Sequence, residues 1–429
     1  MASNSPFLSF GKSSRWLALV FFVFNYILAL FKHPGMNPLK ILQQDSLGYY
    51  QFLPAVFIDG NIRHLPWATV LENGNHLSLF HIGVAILQAP FFLLAHLSSV
   101  VFGFEADGYS VLYLHALFLA ASFYLAIGLY FSFKHLKAYF NARTALMAVI
   151  LIYLGSNLMF YSAKEVGMSH IYSFFLFASF IYCTPGFLAK PSWKNSSIIS
   201  LLSALIVLIK PNNGILLLYL LFYDVKSLED LRIRFRLFQL NFSKIIWMIV
   251  LAGMAVFPQL LYWKTVTGDW IVYSYGFKNE GFNWLAPELW NVLFSHQNGW
   301  LLYSPLLVFA LIGLFWGAVK RVSNFALTGL ILLLAWYIFA SWWNWWFGAA
   351  FGHRAFVEYL ALLMVPLAFF LERIQEKHLS KWFYFISSIL VFVNIRMMSV
   401  YHSPWDGPDW TWSSFLEVLQ KVVYIGTPL

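Results

Sequence analysis

Apolar runs recur from one end of this chain to the other, and they limit its fold more than any motif does. They lie near 16–31, 77–103, 109–133, 144–162, 169–189, 198–209, 212–223, 245–262, 301–319, 325–340, 355–371 and 382–400. A bilayer offers no partners for backbone N–H and C=O groups, so each run reads as helix. Only 10% of residues are charged, against 60% hydrophobic and 20% aromatic, which is too little charge to cover a water-soluble surface of this size. The expectation is an all-α, polytopic membrane protein, one integral domain over 1–429. The formal charge of +9 comes from basic residues scattered through short connectors, which is the pattern of topology determinants and argues against a nucleic-acid partner. Cys183 is the only cysteine, which excludes an intrachain disulfide and a cysteine metal site. The first run follows Lys12 and Arg15 and ends at Lys32-His33-Pro34-Gly35 without a small-residue cleavage site. It reads as an uncleaved helix and not as a signal peptide.

The connectors set the orientation. With the N-terminus cytoplasmic, the segment after the first helix is outside. Counting 77–103 as the second span would send Lys134, Lys137, Arg143, Lys190 and Lys194 outside and leave Glu105 and Asp107 inside, against the positive-inside rule. Laying 77–103 at the outer interface returns every basic connector to the inside, including Arg232, Arg234, Arg236, Lys320, Arg321, Arg373 and Lys377. Pro90, His81, Gln88 and His96 also suit a helix that does not span. The segment 198–223 must then cross twice, in halves of about 12 residues or roughly 18 Å, short of a bilayer core of about 30 Å. The break between them reads Lys210-Pro211-Asn212-Asn213-Gly214, and broken helices at such depth line cavities. The expected architecture is about eleven transmembrane helices plus an interfacial helix in the first outer loop, 33–108. A long outer loop covers 263–300, and shorter outer pieces lie around 163–170 and 341–354.

Several polar residues stand out on that outer side. Asp45, in QQDSLGYYQFLPAVFIDG, reads either as a general base or metal ligand, or as an ordinary helix N-cap. Asp59, before Gly60, reads as a turn residue. His76 and His81 are five apart, poor spacing for one helical face. A metal site there would need Asp45 or Glu72; otherwise these, with His96, are interfacial or pocket histidines. Lys164, Glu165, Ser169 and His170 form a polar cluster, either a charge pair at a helix end or a second pocket wall. Lys210 reads as a snorkelling lysine or as a ligand for a lipid phosphate. Arg354 lies in SWWNWWFGAAFGHRAFVE, between apolar runs where a guanidinium costs about 2.5–3.5 kcal/mol on insertion scales. Its planar fork suits a phosphate, with His353 adjoining and Glu358 near enough in sequence to pair with it. Trp342, Trp343, Trp345 and Trp346 read as an interface belt or a sugar-stacking wall. SHQNGWLLYSP, Ser295 to Pro305, reads as a pocket rim or a helix start.

At these residues the chain resembles GT-C type membrane glycosyltransferases of the protein-mannosyltransferase-like group, above all the bacterial subset with an Asp-x-x-Gly-Tyr-Tyr signature. Asp45, Gly48, Tyr49 and Tyr50 match that signature. The order of first-loop acid and interfacial helix, the Lys210-Pro211 break, and the aromatic, glycine and arginine segment at 341–354 are similar too. The common mannosyltransferase pattern has two adjacent acids, whereas Ser46 follows Asp45 here. The resemblance implies a polyprenyl-phosphate-linked sugar donor and a glycan, lipid or protein acceptor. It also implies an inverting single displacement at the periplasmic face of a bacterial inner membrane. A leaving phosphate, with a second pKa of about 6, departs without a general acid. Asp45 is then the expected base, with Lys210 and Arg354 on the departing phosphate. Tyr49, Tyr50, His76, His81, Glu165, His170, Trp346 and His353 complete the expected binding residues. A divalent metal is left open and is not required. The rivals are a transporter or flippase for a lipid-linked glycan, and a glycan polymerase or ligase using an oligosaccharide donor. A transporter predicts internal repeats, which the sequence does not display.

Overall fold

The structure is a computed structural model that describes residues 12–278, 280–401, 405, 407 and 409–423. The described residues form α1 (Lys12–Lys32), α2 (Pro38–Ile41), α3 (Asp45–Tyr50), α4 (Phe52–Phe57), α5 (Gly83–Phe102), α6 (Val111–Leu136), α7 (Ala142–Leu154), α8 (Leu158–Ala163), α9 (Ser169–Ala189) and α10 (Trp193–Ile209). They continue as α11 (Leu218–Phe222), α12 (Leu228–Leu240), α13 (Phe242–Thr267), α14 (Leu289–Phe294), α15 (Trp300–Tyr303), α16 (Leu307–Val319), α17 (Phe325–Ser341), α18 (Leu360–Glu376), α19 (Ser380–Val400) and α20 (Trp412–Val423). One antiparallel hairpin, β1 (Thr69–Val70) with β2 (His76–Leu77), is the only sheet among the described residues. Six helices (α1, α5, α6, α9, α13 and α19) are long and apolar enough to cross a membrane, and shorter apolar helices accompany them. This is an integral membrane protein.

The chain divides into two compact units. The first holds the described residues up to Tyr130 together with Tyr161–Leu221 and Ser227–Glu280. α1 runs antiparallel to α6: His33 packs on Phe118, and Asn25 donates to Ser122 Oγ at 3.0 Å. Asn25 is fully buried and also donates to the Ser162 carbonyl at 2.9 Å. Such a polar clasp between membrane helices is worth about 0.6–2 kcal/mol. It docks a helix that otherwise shows mostly apolar side chains to its surroundings.

α5 begins where Gly83 lies so close to α10 that a Cβ would fall 2.7 Å from Ile209 N. It ends before Gly108, where a Cβ would meet Pro54 Cβ at 3.0 Å. His33 Nε2 lies 3.0 Å from the Lys164 carbonyl, so the end of α1, the loop 164–168 and the start of α6 share one end of the unit. α5 runs alongside α6, with the Tyr124 hydroxyl donating to the Leu87 carbonyl at 2.7 Å and His96 Nδ1 2.6 Å from the Tyr113 hydroxyl. Residues 78–82 do not join the helix, because their donors are taken by α13: Ser78 N by the Tyr262 hydroxyl at 2.8 Å and Ile82 N by Gln259 Oε1 at 2.9 Å. The expected helix over 77–103 therefore starts only at Gly83.

The second unit holds Phe131–Phe160, Phe222–Lys226 and the described residues from Gly281 onward. α16 lies flat against α18, where a Cβ on Gly313 would sit 2.2 Å from the Pro366 carbonyl oxygen. The run 144–162, expected as one helix, is broken at Gly155-Ser156-Asn157. The Ser156 hydroxyl turns back to the Ile152 carbonyl at 2.6 Å, and Asn394 of α19 caps the freed carbonyls of Leu154 and Ser156 at 2.9 and 3.0 Å. Part of the expected outer loop is pinned to the end of α17. Asn283 N donates to Ser341 O, Glu288 N to Ala340 O and the Tyr337 hydroxyl to Trp284 O, at 2.6–2.8 Å. α10 is longer than the expected half-helix. α12 is a helix where the sequence reading placed a connector, and α20 follows the last apolar run.

Candidate functional site

Asp45 opens α3, but it is not the N-cap: Gln44 occupies that position at φ 44°, in the left-handed region that non-glycine residues seldom enter. The carboxylate sits in the first turn and is half-buried. Its neighbour Ser46 is buried against Gly167, where a Cβ would come within 2.8 Å of Ser46 Cβ. Gly48 lies under the Phe80 ring so tightly that a Cβ would fall 2.1 Å from its Cδ2, and Tyr49 packs on the same ring at 4.7 Å. The glycine of the signature is thus needed for close approach. Tyr50 is buried and donates to the Gly108 carbonyl at 2.6 Å. Burial pushes its hydroxyl well above the usual tyrosine value. Gln51, which the sequence reading passed over, is fully buried. Its amide donates to Gly48 O and Trp67 O at 3.1 and 2.9 Å and accepts from Trp67 N at 2.8 Å. It ties the α3–α4 segment to the rest of the first loop. Its only sequence signal is its place directly after the signature.

The loop 164–168 packs beside α3 through Gly167 on Ser46. The Tyr172 hydroxyl donates to the Val166 carbonyl at 3.0 Å and accepts from Gln88 of α5 at 3.0 Å, which holds the loop against the first-loop helices. Lys164 and Glu165 are half-buried in it. Burial lowers the Lys164 amine below the ordinary lysine value. The charge of Lys32 adds to this, and Glu165 opposes it. His170, two residues into α9, is buried edge-on to Tyr161. Its Nδ1 lies 3.4 Å from Lys210 Nζ. With the ammonium as donor, Nδ1 accepts, and the ring carries its proton on Nε2.

Lys210 itself is extended, between the end of α10 and the 3-10 turn Pro211–Leu217. Proline cannot continue the α10 ladder, so the expected break is real and leaves Lys210 half-buried at the end of the unit that carries Gly167. His81 reaches the same break, with a hydrogen bond to the Leu208 backbone; burial pushes it down to about 4 despite that bond. His76 lies in the hairpin instead, with Nδ1 2.9 Å from the Leu65 carbonyl and its ring edge-on to His64. No three His, Cys, Asp or Glu side chains are grouped for a metal ion among the described residues, so the expected metal alternative built on His76, His81 and Asp45 finds no geometry.

Trp346, His353 and Arg354 belong to the second unit. His353 is fully buried among Phe339, Phe347 and Phe356, and its Nε2 lies 2.9 Å from the Trp345 carbonyl, to which it donates. Arg354 starts the short 3-10 turn Arg354–Phe356 and is half-buried; Glu358, one turn on, is buried. The Trp346 carbonyl accepts from Asn298 at 3.0 Å. Between these anchors the backbone is strained. Phe347 and Ala349 stand at φ 48° and 54°, and Gly352 at φ 64° has no room for a Cβ, which would lie 2.9 Å from Tyr303 Cβ.

Known proteins give only distant likenesses. No family model matches the sequence, and no curated protein matches it. The chain is similar in structure to an archaeal oligosaccharyltransferase, AglB, from Archaeoglobus fulgidus. Against that protein's complex with an inhibitory peptide and a dolichol-phosphate, identity is 14% and the TM-score 0.45, over 98% of this chain and 57% of that one. Against the Archaeoglobus fulgidus oligosaccharyltransferase in its apo form, identity is 15% and the TM-score 0.49, over 97% of this chain and 57% of that one. Against its complex with Zn and sulfate, the values are 14% and 0.48, over 95% and 54%. The chain thus spans a little over half the length of the structures it is similar to.

Proposed function

We propose that this protein is a membrane glycosyltransferase that moves a sugar from a polyprenyl-phosphate-linked donor to an acceptor hydroxyl, with inversion, on the non-cytoplasmic face of a bacterial inner membrane. The observation that carries the reading is the gathering at one end of the first unit. There the Asp45 helix packs through Ser46 on Gly167, and three residues further His170 meets Lys210. A carboxylate from the first loop and an ammonium from a helix break are the pair such a transfer needs. Asp45 takes the proton of the acceptor hydroxyl while Lys210, aimed by His170, carries charge growing on the departing phosphate. Glu165 and His81 line the same end. Tyr49 and Tyr50 seat α3, and His76 fixes the hairpin beside it. Within the second unit, Arg354, next to His353 in the chain, is the residue that the resemblance assigns to phosphate binding. α5, with leucines, valines and Phe102 exposed along it, is assigned to the outer interface, and the other apolar helices to about eleven crossings.

The test is release of labelled sugar from a polyprenyl-phosphate donor by the purified protein. Asp45→Asn is expected to lose about 10²–10⁴-fold in rate while the protein still inserts. Unchanged transfer in that variant removes Asp45 from the mechanism. Movement of intact donor across the bilayer without sugar release would establish a carrier in place of an enzyme.

A further inference from the structure

α12 lies at the other end of the first unit from Lys210, and the proposed transfer makes no use of it. Trp247, early in α13, donates to Ser197 at 2.8 Å and packs edge-on to Trp193, so the α12–α13 junction sits beside the start of α10. Lys210 follows the far end of α10, about 25 Å away along a 17-residue helix. α12 opens with a capping box, Ser227 with Asp230, which fixes it as a helix and not a connector. None of its side chains is fully buried. Residues 230, 231, 234, 237 and 238 are half-buried on one face, and the opposite face is exposed. Arg232 and Arg236, one turn apart, form the crest of that exposed face. Leu228 and Phe235 flank the crest on one side, and Ile233 and Leu240 on the other, each more than half exposed. Arg234 instead turns inward and donates to the Leu220 carbonyl at 3.1 Å.

A cationic crest between two apolar flanks is the surface of a helix lying in a membrane interface. α12 leads straight into α13, whose Phe242, Ile246, Ile249 and Val250 are exposed, as lipid-facing side chains are. The half-exposed Trp193 and Trp247 mark the level at which hydrocarbon gives way to head groups. Lys190, Lys194 and Lys244 are carried at the same end. Glu229 offsets part of this charge through a 3.4 Å contact with Arg232. We infer that α12 is an anionic-phospholipid binding helix, with Arg232 and Arg236 engaging the head-group phosphates and the flanking side chains entering the acyl boundary. Charge complementarity selects the occupant: the crest offers guanidinium forks at the depth where lipid phosphates lie.

The full chain, purified in detergent, is offered a mixture of phosphatidylglycerol and phosphatidylcholine, and the retained lipid is counted by native mass spectrometry. Phosphatidylglycerol is expected to be preferred. R232Q/R236Q should lose about fivefold of that preference for each arginine, and R232K/R236K should keep most of it. Added salt should shrink the preference in the unaltered protein, which keeps the inference testable if the glutamine variant fails to fold. Equal retention of the two lipids, or a preference indifferent to both salt and R232Q/R236Q, overturns it. Displacement of the lipid by inorganic phosphate alone would overturn it too, since that describes an ion site without a bilayer component.

Discussion

Replacing Gly83 by alanine tests the packing on which the candidate site stands. The new methyl carbon would lie 2.7 Å from Ile209 N, 2.8 Å from Leu208 C and 2.9 Å from Ile209 Cγ1. Two of these neighbours are backbone and cannot rotate aside. To reach ordinary contact the start of α5 must retreat by about 0.7 Å, a strain of the order of 1–3 kcal/mol for an overfilled interior. The better helix propensity of alanine returns no more than about 1 kcal/mol of that. His81, two residues earlier, is bonded to the Leu208 backbone, so the retreat pulls on the residue pair that precedes Lys210. A displacement of that size at a positioning group costs up to about 100-fold in rate. Gly253 of α13 is the control, since a Cβ there meets nothing within 4 Å. Thermal unfolding in detergent and sugar release are measured for both variants. Gly83→Ala should melt earlier and transfer more slowly, and Gly253→Ala should do neither. A Gly83→Ala protein that matches the original in both would refute the close contact between α5 and the α10 break.

Lys210→Gln should lower transfer by about 10²–10³-fold, the usual cost of removing one preorganised donor to developing charge, with donor binding measured separately to show that the lipid is still held. His81 is held neutral by burial, with its pKa moved from 6.5 to about 4. Its contribution to stability is therefore complete above pH 6.5 and is lost as the pH falls from 6.5 towards 4, because the unfolded chain takes up the proton first. The melting temperature should drop over that interval, and less in His81→Gln; equal drops in both would remove His81 as the cause. Gly352→Ala meets both a φ of 64° and Tyr303 Cβ at 2.9 Å, so it should destabilise by about 1–3 kcal/mol in the same melting assay.

Helix positions were readable because membrane burial writes itself into long apolar runs, and the Lys210-Pro211 break was readable because proline ends a ladder by its own covalent structure. Composition could not locate the start of α5: Leu77 to Ile82 are mostly apolar, like the helix after them, and only the hydroxyl of Tyr262 and the amide of Gln259 decide that they stay outside it. The break at Gly155-Ser156-Asn157 was missed for the same reason, since the residue that satisfies it, Asn394, stands far along the chain. Within the candidate site, Asp45, His170 and Lys210 announced themselves as polar residues among apolar ones. Gln51 and Asn25 did not, because each has an ordinary neutral side chain whose weight comes wholly from distant partners. Asp45 was also legible as a cap, and the structure sets that aside, because Gln44 takes the cap position in a backbone conformation the sequence gives no reason to expect.

The course of α5 bears on parity. Its most apolar 18-residue stretch matches that of α6, so apolarity alone gives an insertion machinery no ground to treat the two differently. With α5 laid at the interface as proposed, one wrong threading during synthesis would invert every later segment of the protein. Besides the basic connectors, what separates the right outcome from its mirror image is then a handful of fasteners, Gly83 on α10, Gln88 on Tyr172 and the loop at Gly108 on Pro54, most of which do not exist until the partners have been made. On the proposed course of α5, sidedness is set by the basic connectors and made fast late, by assembly.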